Sequence, residues 1–265
     1  MKKMIVMDLD GTLLDVNKKI SLQTKEYLLE LKNKGFIIVI ATGRILNSVI
    51  SVTEGAEFAN YIISNAGGLI YDNSAKKVIY KNVINKDIVS KICSLYSDDI
   101  NCIELSDIYY YNRYTNKNIT EDRFTKKINN LDEYIKNNEV ISMTIGINNN
   151  IDSIYEYVLN NYKEVRSYII SVSFNHDIKN IEVVGLDVNK FNAIKKIANI
   201  ENIEISNIIT FGDSENDIEM IKNSGLGVAM KNAVEEVKKV SKYITKSNNE
   251  NGIFEFLKQY LESEI

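Results

Sequence analysis

Three short apolar runs, residues 4–7 (MIVM), 36–40 (FIIVI) and 208–211 (IITF), do most to limit how this chain can fold, because each gives way almost at once to a polar loop. They are too short for helices, and nearly continuous apolarity suits strands buried on both faces of a parallel sheet. Helical patterns follow each run. Residues 21–34 place Leu22, Leu28, Leu29 and Leu31 on one broad face, with Gly35 as the C-terminal cap, and residues 44–57 and 217–223 behave similarly. Alternating strand and helix predicts an α/β fold, a doubly wound, Rossmann-like core built on a parallel sheet.

The middle of the chain has a different rhythm. Residues 101–105, 140–147, 165–174 and 180–184 read as strands, several of them alternating in character, and residues 87–97, 119–130 and 151–162 read as helices. This pattern predicts an α+β module over residues 82–186, inserted into a core made of residues 1–81 and 187–265. A further helix is predicted over residues 190–199.

The loops that follow the three core strands carry the chemistry. The first holds Asp8, Asp10 and Gly11, the second Thr42, Gly43 and Arg44, and the third Asp213, Asn216 and Asp217. Ligands of open α/β sheets bind outside the carboxyl ends of the strands, near the point where strand order reverses, so these clusters should converge on one pocket. Four carboxylates at close range repel one another, and their pKa values rise unless a cation sits among them. Hard oxygen donors beside a phosphate suit Mg²⁺. Structural explanations stand beside the chemical ones: Asp10-Gly11 also makes an ordinary turn, and Ser214 to Asp217 also makes a helix capping box. Lys190 opens a predicted helix, where a cation faces the positive end of the helix dipole, and a bound phosphate would reverse that penalty.

The run DLDGT at 8–12, Thr42, Lys190 and GDSEND at 212–217 resemble, in order and spacing, the four motifs of the haloacid dehalogenase (HAD) superfamily. The large insertion after the second motif resembles the cap of the Cof-type sugar-phosphatase branch. The resemblance implies a cytoplasmic, Mg²⁺-dependent phosphatase acting on a small phosphorylated metabolite through an aspartyl-phosphate. It implies Asp8 as nucleophile and Asp10 as general acid and base, the latter with a raised pKa. It implies a metal site made by Asp8, the backbone carbonyl of Asp10, and Asp213, supported by Asp217. Thr42, Gly43, Lys190 and Asn216 would hold the phosphoryl group, and Arg44 would contact substrate or pair with a carboxylate. Two departures stand out: Phe191 follows the third-motif lysine where the family usually has glycine, and the family's Asn-Gly-Ala signature is altered to Asn65-Ala66-Gly67.

Composition narrows the alternatives. A net charge of −4 argues against a nucleic-acid partner, and no apolar stretch is long enough for a membrane span. Two cysteines, Cys93 and Cys102, indicate a reducing compartment rather than a disulfide framework, and neither has an arginine six positions on, as a thiolate phosphatase would need. Histidine-based transfer needs more than the single His176, and no phosphate-binding P-loop is present. Tyr109 to Tyr111 with Arg113 would either pack within the inserted module or line a substrate surface. A phosphohexomutase and a non-enzymatic Mg²⁺-binding phospho-receiver are the two rival functions. Receivers are about half as long and lack an acid two residues after the acceptor.

Overall fold

The computed structural model describes residues 3–94, 100–105, 109–111, 125–128, 130–147, 150–172 and 175–262. In chain order the elements are β1 (Met4–Met7), α1 (Leu22–Asn33), β2 (Ile37–Ala41), α2 (Leu46–Val52), β3 (Tyr61–Ser64), β4 (Leu69–Asp72) and β5 (Lys77–Lys81). There follow α3 (Lys86–Ser94), β6 (Ile100–Leu105), β7 (Tyr109–Tyr111), β8 (Thr125–Lys127), α4 (Leu131–Asn137), β9 (Ser142–Ile147), α5 (Ile151–Asn161), β10 (Val165–Val172) and β11 (Asn175–Gly185). The chain closes with α6 (Lys190–Glu201), β12 (Ile208–Gly212), α7 (Ile218–Asn223), β13 (Leu226–Ala229), α8 (Glu235–Val240), β14 (Tyr243–Ile244) and α9 (Gly252–Glu262).

These elements form two compact units, residues 1–80 with 189–265, and residues 81–188. The first unit is α/β. Its eight-stranded sheet runs β14-β13-β12-β1-β2-β3-β4-β5, parallel from β14 through β3, with β4 antiparallel to β3. β1 and β2 are buried along their whole length, as is β12, which explains the unbroken apolarity of those runs. From β1 the chain moves outward to β2 and β3, then returns to lay β12 on the other flank of β1, so strand order reverses between β1 and β12. Met7 lies in register with Phe211, which brings the first and third polar loops out side by side.

The second unit has a four-stranded antiparallel sheet in the order β10-β11-β9-β6, and a β7-β8 pair. Its own apolar cluster includes Ile84, Val89, Ile92, Val140, Met143, Ile145, Val158 and Ile181.

Several expectations need correcting. In α1, Thr24, Leu28 and Leu31 form the buried stripe, whereas Leu22 and Leu29 are 69% and 40% exposed. Leu22 and Leu29 are seven residues apart and share the outer face, so four leucines do not make one apolar stripe. The helix predicted over 44–57 is reduced to α2, which stops where Glu54, Gly55 and Ala56 all take left-handed backbone. The helix predicted over 119–130 is not formed at its C-terminal end: Thr125–Lys127 pairs in parallel with Tyr109–Tyr111, and Asn130 caps the next helix, its side chain accepting the Glu133 N–H. Tertiary pairing there overrides a local helical pattern. Arg113 and residues 119–124 lie outside the described residues.

The stripe in α1 gives a direct test. Leu28→Ala should lower stability by about 2–5 kcal/mol, and Leu22→Gln or Leu29→Lys should stay within about 0.5 kcal/mol of the parent. Urea unfolding followed by circular dichroism distinguishes these outcomes.

Candidate active site

Asp8 stands one residue past β1 with its backbone N–H bonded to the Phe211 carbonyl at 3.0 Å, so strand pairing continues into the first polar loop. Its side chain is buried. Lys190, the first residue of α6, is also buried and donates from Nζ to Asp8 Oδ1 at 2.6 Å and to Asp217 Oδ1 at 2.7 Å; Asn216 Oδ1 stands at 3.4 Å. Asn189 caps the same helix by accepting the Asn192 N–H.

Asp217 does two jobs with its two oxygens. Oδ1 accepts from Lys190, and Oδ2 accepts the backbone N–H groups of Asp213 and Ser214 at 2.9 and 3.1 Å. The capping box foreseen at Ser214–Asp217 is therefore present in full, and it coexists with the ion pair. Asp213 is held in turn by the Thr12 hydroxyl at 2.7 Å and the Ser214 hydroxyl at 3.1 Å. Two glycines make this packing possible. A Cβ on Gly11, whose φ is +79°, would lie 2.4 Å from Asp213 Oδ2, and one on Gly212 would lie 2.5 Å from Asp217 Cβ.

Asp8, Asp213 and Asp217 each offer a carboxylate oxygen within 4.8 Å of the others. With all three ionised, these carboxylates beside one ammonium would carry an excess of two negative charges in a largely buried site. Burial pushes the Asp8 carboxyl well up, and the Asp217 and Asp213 charges add to this while Lys190 opposes it. Burial likewise lifts Asp213 to about 6, against hydrogen bonds from Thr12 and Ser214. Burial disfavours the Lys190 ammonium, yet Asp217 and Asp8 outweigh it and raise its pKa. Hard oxygen donors with a charge deficit of two fit a divalent cation such as Mg²⁺.

Asp10 departs from expectation. Its carboxylate is not part of the three-acid group. Arg44 grips it with both Nε and Nη2, at 2.5 and 2.7 Å, and Lys18 adds a third bond at 2.8 Å. Burial pushes its pKa up, but these bonds and charges prevail and lower it, where a raised value was expected. Lys18 had no signal in the sequence beyond being one lysine in a loop.

The second loop is tied to its neighbours through backbone and side chain. Thr42 is buried, its hydroxyl accepts the Arg44 N–H at 3.2 Å, and its carbonyl accepts the Ala66 N–H at 3.1 Å. The Arg44 carbonyl accepts the Asn65 N–H at 2.9 Å. Gly43 is exposed, and no atom of the described residues crowds it enough to require a glycine. Asn65, Ala66 and Gly67 all take positive φ, and Gly67 packs against the Asn189 backbone at the start of α6. The altered Asn-Ala-Gly loop thus bridges the Thr42 loop and the Lys190 helix. Phe191 is half-buried and packs against the core of the first unit.

Comparison with known proteins places this geometry in a family. The profile of haloacid dehalogenase-like hydrolases matches residues 5–257. The chain is similar to the 5-amino-6-(5-phospho-D-ribitylamino)uracil phosphatase YcsE of Bacillus subtilis, 29% identical over 98% of this chain and 96% of that protein. Among solved structures it resembles BT1666, a HAD phosphatase of Bacteroides thetaiotaomicron, at TM-score 0.83 and 25% identity over 98% of this chain and 95% of that one. It also resembles the HAD subclass IIB sugar phosphatase BT4131, at TM-score 0.76 and 25% identity over 97% and 98% of the two chains. With the four motifs assembled at the switch point of the sheet and a profile match across nearly its whole length, this chain belongs to the haloacid dehalogenase-like hydrolases.

Proposed function

We propose that this chain is a Mg²⁺-dependent phosphatase that hydrolyses a small phosphorylated metabolite, a sugar phosphate above all, through an aspartyl-phosphate formed on Asp8. The observation that carries the reading is the buried Asp8–Lys190–Asp217 array at the switch point, with the Asp213 carboxylate beside it. The phosphatase function of the Bacillus relative YcsE and the sugar-phosphatase activity of BT4131 support the substrate class.

Asp8 and Asp213, with the Asp10 carbonyl, would hold Mg²⁺. Asp217 would act from behind, since its oxygens already accept Lys190 and two backbone N–H groups. When bound, the ion supplies Lewis-acid polarisation and charge neutralisation at the phosphoryl group. The chain's own residues do the rest. Lys190 fixes Oδ1 of Asp8 and offsets its charge, so the carboxylate can approach an anionic phosphate. Asp8 forms a bond to phosphorus as the ester oxygen leaves and takes a proton from Asp10, a step that requires Asp10 to be protonated in the substrate complex, against the downward pull of Arg44 and Lys18. Asp10 then removes a proton from water, which attacks the aspartyl-phosphate, releases inorganic phosphate and restores Asp8. Arg44 and Lys18 hold Asp10 in place, and Thr42, Gly43 and Asn216 would line the phosphoryl group. Residues 81–188 would form the specificity-setting cap, and the cytoplasm is the site of action we favour.

Uncatalysed phosphate-monoester hydrolysis is slow enough that enzymes of this kind approach accelerations of about 10²¹-fold, so loss of the nucleophile should be severe. Asp8→Asn should abolish phosphate release from a panel of sugar and sugar-alcohol phosphates with Mg²⁺, and chelation should do the same to the parent. Turnover that survives either treatment, or isomerised sugar phosphate without free phosphate, would overturn the reading. Lys190→Met removes the one cation that pairs with Asp8 and Asp217 among the described residues. It should cost about 3–5 kcal/mol in metal-free buffer, with partial recovery of melting temperature on adding Mg²⁺. Gly11→Ala should weaken Mg²⁺ binding, because the new methyl displaces the Asp213 carboxylate; isothermal calorimetry reads this directly.

A further inference from the structure

We infer that Asn232 is a positioning residue that sets the spacing between the two metal-binding loops. This rests on the phosphatase reading above. The segment 230–234 is pinned to the third loop at both ends: the Met230 N–H donates to the Gly212 carbonyl at 3.0 Å, and the Val234 N–H donates to the Asp213 carbonyl at 2.9 Å. Between those anchors, Asn232 Nδ2 donates to the Gly11 carbonyl at 2.8 Å, across 221 residues of sequence. One short segment thereby grips the backbone of Asp213 with its main chain and the backbone beside Asp10 with its side chain.

The orientation of the amide is set by its surroundings. While Nδ2 donates to Gly11, Oδ1 accepts the Asn248 N–H at 3.1 Å, so both ends of the group are committed. Asn248 Nδ2 donates onward to the Leu14 carbonyl at 2.8 Å, and Asn249 Oδ1 accepts the Val16 N–H at 3.0 Å. Three asparagines from the C-terminal part of the chain thus fasten the first loop at Gly11, Leu14 and Val16. Asn232 is the member closest to the chemistry, because the peptide it fixes joins Gly11 to Thr12. Gly11 packs on the Asp213 carboxylate, and the Thr12 hydroxyl donates to it. Asn232 is itself solvent-exposed. An exposed side chain that surrenders its rotamer freedom to two backbone partners adds little burial energy, so its value lies in geometry.

The test uses Asn232→Ala and Asn232→Asp in the full chain, beside the parent. The aspartate keeps an acceptor for the Asn248 N–H and loses the donor to Gly11. Two quantities are read: the Mg²⁺ concentration that half-saturates the rise in melting temperature without substrate, and kcat and KM for p-nitrophenyl phosphate at saturating Mg²⁺. Both variants should need about tenfold more Mg²⁺, with kcat down about tenfold and KM within about twofold. An unchanged Mg²⁺ midpoint and kcat would overturn the inference, as would a rise in KM alone, which would make Asn232 a substrate contact. If Asn232→Ala does not fold, Asn232→Asp carries the same comparison. A parent chain that shows neither Mg²⁺ stabilisation nor phosphate release would overturn the phosphatase reading together with this inference; a parent that shows both, with variants matching it, would overturn this inference alone.

Discussion

An ammonium group buried between two carboxylates organises the centre of this protein. Lys190 Nζ lies within 2.7 Å of both Asp8 and Asp217, and none of the three side chains has appreciable access to water. Removing such charges from water is costly, and only close, well-directed pairing repays it. That requirement explains the local architecture. β1 must deliver Asp8, the helix starting at Lys190 must point its first side chain inward, and the turn after β12 must fold Asp217 back beneath Gly212. Pairing one cation with a third carboxylate nearby leaves the site two charges short of neutrality, which is the deficit a divalent ion would fill.

The same constraint divides the labour among the acids. Asp217 is spent on Lys190 and on two backbone N–H groups, so it braces the turn rather than facing outward. Asp213 is steered by the Thr12 and Ser214 hydroxyls and by the close approach of Gly11. Asp10 belongs to a separate electrostatic environment governed by Arg44 and Lys18. Two carboxylates separated by one residue in sequence therefore have opposite shifts: Asp8 raised by burial among acids, Asp10 lowered by two cations. The split runs opposite to what an ionised nucleophile at Asp8 and a protonated acid at Asp10 would need, so the roles proposed above require a cation beside Asp8 and a changed setting for Asp10 to reverse it.

Much of this was legible in the sequence. The buried strands announced themselves through unbroken apolarity, because a strand covered on both faces has no polar side to show. The motif acids, Lys190 and the capping box were visible because their residue types and spacing carry local geometric meaning. Two strands were not legible: β14 has two exposed residues and so no period, and β13, as short and as buried as β1, has its apolar run broken by Gly227. The outer leucines of α1 misled because residue type alone does not reveal which helix face meets the sheet.

What the sequence by itself determined is the set of strands, loops and titratable groups available, together with their order, since these follow from hydrophobic pattern and local turn chemistry. Only the tertiary structure decided which groups meet. Arg44 and Lys18 on Asp10, Thr12 on Asp213, and Asn232 on Gly11 are contacts separated by up to 221 residues or chosen among many similar side chains. Through-space electrostatics and hydrogen bonding act over a few ångströms, and sequence distance carries no record of them.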